Sequence, residues 1–101
     1  MTYLEIQQAI ARGIAERRSK HLEKLTKWNK RMENRINSAK TAEQIQSIEK
    51  DIEDGFQHHY KRKEKNIEYK HYEDAGYNDE YIETLDELDT KLRVKKKKLG
   101  L

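Results

Sequence analysis

Ile36-Asn37-Ser38-Ala39-Lys40-Thr41-Ala42-Glu43-Gln44-Ile45 is the stretch on which the fold turns. Thr41 and Gln44 stand three apart ahead of an apolar run. This is the spacing of a capping box, in which the Thr hydroxyl accepts the N3 amide and the third helical residue reaches back. A helix therefore starts at about residue 42. The residues before Ser38 carry their own helical pattern, so another helix ends within a few residues of that start. So short a connection folds two helices back into an antiparallel hairpin.

Upstream, Tyr3, Ile10, Ile14, Leu25, Trp28, Met32, Ile36 and Ala39 recur at helical spacing, widened by Leu4, Ala11 and Leu22. Thr2 and Glu5 form a second capping-box pair. The first helix is predicted over 3–38, about 54 Å long at 1.5 Å per residue. Downstream, Ile45, Ile48, Ile52, Phe56, His59, Lys63 and Ile67 form the next stripe. The glycine of Ala75-Gly76 reads as a left-handed stop, giving a second helix over 42–75. Asn78 or Asp79 then caps a third helix over 79–98, with Tyr81, Leu85, Leu88, Leu92 and Leu99 on its stripe. The fold class is all-α: residues 1–101 form one domain, a long antiparallel hairpin with a shorter third helix, as a coiled-coil-like or three-helix bundle that could oligomerise.

Composition agrees. The chain has 101 residues, 41% charged and 34% hydrophobic, with no proline and four glycines. A core drawn from so few apolar residues has to be thin and long. Absence of cysteine removes disulfides and thiolate metal sites and suits a cytoplasmic location. No apolar run is long enough for a membrane span, and Glu5 replaces the basic start of a secretory signal. The Lys, Glu, Ile, Asn and Tyr bias fits an AT-rich bacterial or viral genome and an accessory protein of a phage or plasmid.

With the turn centred near Lys40, facing residues of the hairpin have numbers summing to about 80. That register sets Ile36 against Ile45, Met32 against Ile48, Trp28 against Ile52, Leu25 against Phe56 and His21 against His59. A short third helix would cover only the open half, leaving the apolar half beside the turn bare on one side. A second copy could cover it, with Asn29 setting register.

Charge alternates in blocks: +6 over 1–40, −4 over 41–60, +3 over 61–72, −8 over 73–90 and +6 over 91–101. Arg17, Lys20, Lys24, Lys27, Arg31 and Arg35 share one face of the first helix. Such a stripe suits a phosphate backbone, or is simply solvated with Glu16–Lys20 and Glu23–Lys27 as i,i+4 pairs. Asp79, Glu80, Glu83, Asp86 and Glu87, followed by Lys95–Lys98, complement the dipole of the third helix. The alternative reading of the acids is a docking face that imitates nucleic-acid phosphates, against the plainer one of a solvated helix face. His21 and His59 give too few ligands for zinc and read as a polar layer. The serines have no partnered His–carboxylate arrangement, so no catalytic, cofactor or metal residues are assigned and the chain is read as a non-enzyme.

The leading functional expectation is a protein-interaction module that binds, and inhibits or adapts, a larger protein. Its anchors would be Tyr72, Tyr77 and Tyr81 at a corner between the second and third helices, rimmed by Glu80, Glu83 and Glu87. The alternatives are nucleic-acid binding through the basic stripe and the terminal lysines, or a purely structural homo-oligomer, such as a homodimer, without another ligand.

Overall fold

A computed structural model describes all 101 residues. It is all-α, 90% helical, in the order α1 (Tyr3–Ser38), α2 (Ala42–Glu68) and α3 (Tyr72–Leu99). Both predicted capping boxes are present. Thr2 Oγ1 accepts the Glu5 amide while Glu5 accepts the Thr2 amide, and Thr41 and Gln44 do the same. The helix α1 and the start of α2 fall where the spacing puts them, because these signals are local.

The second connection does not. α2 ends at Glu68 rather than 75, and α3 begins at Tyr72 rather than 79. The stop is a Schellman motif: the His71 amide donates to Asn66 O at 2.6 Å and the Lys70 amide to Ile67 O at 3.1 Å. Lys70 takes the left-handed position at φ 60°, which glycine usually fills. Gly76 instead lies inside α3 and has no positive φ. Asn78 is not a cap but a buried side chain. Glu73 and Asp74 supply negative charge to the first turn, where the helix dipole favours it.

Starting seven residues early changes the packing. α3 has 28 residues against 27 in α2, so the two run back to back over their whole length and form the tightest pair. Gly55 helps them close, since a Cβ there would meet Leu85 Cδ2 at 3.0 Å. The C-terminal half of α3 returns to the α1–α2 turn and brings Leu85, Leu88 and Leu92 onto Met32, Ile36, Ala39, Ile45, Ile48 and Ile52. Leu85 and Leu88 have no exposed surface. The apolar half beside the turn is thus closed by α3, not bare. Lys91 to Glu33, Lys95 to the Asn37 carbonyl and Lys96 to Glu49 pin that end of α3 to its neighbours.

Away from the turn α1 and α2 part, and α1 packs mainly on α3. The register summing to 80 therefore does not run the length of the hairpin. His21 and His59 do not face each other across it. Tyr81 stands between them, edge-on to His21 at 5.5 Å and stacked on His59 at 4.4 Å. The molecule is 64 Å long and only 26 by 15 Å in cross-section.

Candidate interaction surfaces

Beyond Arg17 the first helix runs on alone. From Met1 to Lys20 every residue is exposed except Gly13, which is half-buried. The arm projects by about fourteen residues, roughly 20 Å, past the start of α3. Tyr3, Leu4, Ile6, Ile10 and Ile14 are 42–76% exposed. On a 100° helical wheel, Tyr3, Ile6, Ile10 and Ile14 continue the line of His21, Trp28 and Met32, so one face is core in one half and bare in the other. Residues 1–15 contain only two charged side chains, Glu5 and Arg12, and these lie on the far side of the helix from Ile10.

Where the arm meets the bundle, polar contacts take over. Arg17 grips Glu73 through Nε and Nη2 at 3.1 and 3.2 Å, and Tyr77 Oη donates to the same carboxylate at 2.6 Å. The Arg17 bond foremost, with that of Tyr77, holds the Glu73 carboxyl below its ordinary range. Glu80 accepts from Arg18 and from His21, the latter at 2.9 Å. Burial pushes the Glu80 carboxyl up, but these two bonds outweigh it and hold it below the usual value. His21 is buried and stacked on Tyr77 at 4.1 Å.

The second surface is a cleft. Because α1 and α2 diverge, an open trough of 1190 Å³ lies between them, with Asn78 and Tyr81 of α3 as its floor. Trp28, on the wall, is 5.4 Å from Tyr81. Beneath it Asn66 donates to Asn78 Oδ1 at 2.8 Å, and Asn78 Nδ2 lies 3.1 Å from His59 Nδ1. An amide nitrogen can only donate, so Nδ1 of His59 accepts and Nε2 carries the proton. Burial first, then the charges of His58, Arg62 and His21, lower the pKa of His59 to about 4. It is neutral at pH 7.

The six residues of the basic stripe separate into two kinds. Arg17, Lys27 and Arg35 are paired, with Glu73, Glu23 and Asp51. Lys20, Lys24 and Arg31 have no carboxylate within 4 Å, and Lys24 and Arg31 line the cleft. The acidic face divides similarly. Asp79 pairs with Lys63 and Glu80 with Arg18 and His21, while Glu83, Asp86 and Glu87 remain exposed.

The tyrosine corner does not exist as a bend, since residues 75–77 are helical. Tyr72 is 64% exposed at the start of α3, but Tyr77 and Tyr81 are half-buried against α1. Sequence reasoning missed Lys30, Arg62, Asn66 and Asn78. Asn78 stands one turn before the inward Ile82 and two before Leu85, a polar residue on an apolar line, and that signal could have marked it. No grouping of three or more His, Asp or Glu side chains forms a metal-holding arrangement, and no helix is long and apolar enough to cross a membrane.

Compared with known protein families, curated proteins and solved structures, the chain matches none.

Proposed function

We propose that the protein is a non-enzymatic helical interaction module that docks through the apolar face of the α1 arm, and that its occupant there is the arm of a second copy. The observation that carries this reading is the uncovered row Tyr3, Ile6, Ile10 and Ile14, continuous with a packed core stripe. A helix that buries nothing is marginal in water at this length, and packing an amphipathic face is what ordinarily stabilises it. Covering such side chains is worth about 25 cal/mol per Å² of apolar surface.

Self-pairing follows from the pattern of charge. Two arms laid antiparallel about a two-fold axis near Ile10 set Ile6 against Ile14 twice and Tyr3 beside Arg17. Glu5, Arg12 and Glu16 stay on the outer side, so no like charges meet. A larger protein offering an uncharged apolar helix would compete for the same face.

Sedimentation equilibrium over a wide concentration range tests the reading. Wild type should form a concentration-dependent dimer, and Ile6→Asp/Ile10→Asp/Ile14→Asp should be monomeric with the bundle intact by circular dichroism. A wild type that stays monomeric throughout, or a triple variant that dimerises equally, overturns it.

A further inference from the structure

Elsewhere in the molecule, cations that reach a neighbouring helix meet an oxygen acceptor there: Arg17 with Glu73, Lys63 with Asp79, Lys91 with Glu33, Lys96 with Glu49, and Lys95 with the Asn37 carbonyl. The cleft between α1 and α2 breaks this rule. Lys24, Lys30 and Arg31 come from one wall and Arg62 from the other, and none of the four has a carboxylate within 4 Å. Of the two acids in the walls, Asp51 is held by Arg35 at 2.6 Å, leaving Asp54 alone. Like charges brought together from two helices cost free energy unless an anion shares the space. Trp28 lines the same trough, backed by Tyr81, which is itself stacked on His59.

We propose that this cleft binds single-stranded nucleic acid, with phosphates held by Lys24, Lys30, Arg31 and Arg62 and a base lying against Trp28. A positive groove that tracks the backbone beside an aromatic platform is the general design for single strands. The aromatic wall favours a single strand over a duplex, because only an unstacked base can lie against Trp28. His59 forms part of the rigid support beneath the site, with its Nδ1 occupied by Asn78. The inference stands apart from arm pairing, since the cleft lies beyond residue 20 and uses none of the arm.

Trp28 is the only tryptophan in the chain, so its fluorescence reports the site directly. Full-length protein is titrated with a single-stranded oligothymidylate of about ten nucleotides, a length within the usual span of such sites. The same strand in a duplex and inorganic tripolyphosphate are titrated in parallel. The single strand should quench Trp28, with log affinity falling against log salt at a slope of about −3 for four contacts. Arg31→Glu/Arg62→Glu should weaken binding at least tenfold and flatten the slope by about 1.4. Lys24→Gln/Lys30→Gln repeats the test without charge reversal and should give a smaller loss in the same direction. Lys97→Glu/Lys98→Glu should bind as wild type. No quenching at low salt overturns the proposal. So does equal affinity for tripolyphosphate or duplex, or unchanged binding in both cleft variants.

Discussion

The two halves of α1 carry the same kind of face and meet opposite fates. Around Met32 and Ile36 the apolar line lies under Leu85, Leu88 and Leu92, and almost nothing of it remains in contact with water. Around Ile6 and Ile10 the line points into solvent. Amphipathic periodicity states which side of a helix wants cover; it does not say whether the chain brings any. Here cover is set by where α3 begins and how far it reaches. The closed end is packed within one chain, and the arm is exposed.

This contrast can be broken in several places. The largest effect belongs to the closed end. Leu88→Ala removes a fully buried side chain and should cost about 2–5 kcal/mol in urea unfolding. A cost below about 1 kcal/mol would mean that the core under α3 is not packed as described.

The next effect is a titration in the zone between the two halves. His59 has its pKa lowered to about 4, while the unfolded chain titrates near the ordinary 6.5. Between these values the unfolded state binds more protons, so stability is full above about pH 6.5 and falls as pH drops toward 4. Because His59 is only partly buried, the loss should be modest, about 1–3 kcal/mol. Thermal melts at pH 7 and pH 5 measure it, and His59→Gln should flatten that part of the profile. A wild type and variant with equal pH dependence would put His59 in water rather than against Tyr81.

A smaller effect, of opposite sign, sits at the α2–α3 turn. Lys70→Gly relieves a left-handed backbone and should stabilise by about 0.5–1 kcal/mol. Destabilisation would place the end of α2 elsewhere. The smallest effect is in the arm, where Ile10→Ala should change the stability of the monomer by less than about 0.5 kcal/mol.

What could be read without the structure was local. Thr2–Glu5 and Thr41–Gln44 name their helix starts because a cap involves only four residues. The α2–α3 turn was hidden because Lys70 takes the position that glycine normally marks, while Gly76 advertises a stop it does not make. That single displacement moved Tyr77 and Tyr81 from an exposed corner into contact with His21 and Trp28. The cleft was half legible. The α1 stripe gave Lys24 and Arg31, but no spacing rule on one helix brings Arg62 across from another. The bare arm was legible only as a face, since exposure depends on α3 starting level with Arg17.

Amide hydrogen exchange along α1, measured at a series of protein concentrations, tests the central claim most directly. Amides from Trp28 to Ile36 should be protected at every concentration, because α3 covers them within one chain. Those from Ile6 to Ile14 should exchange fast in dilute solution and become protected as arms pair. Arm amides as protected as the core at the lowest concentration, or unprotected at the highest, would contradict the account.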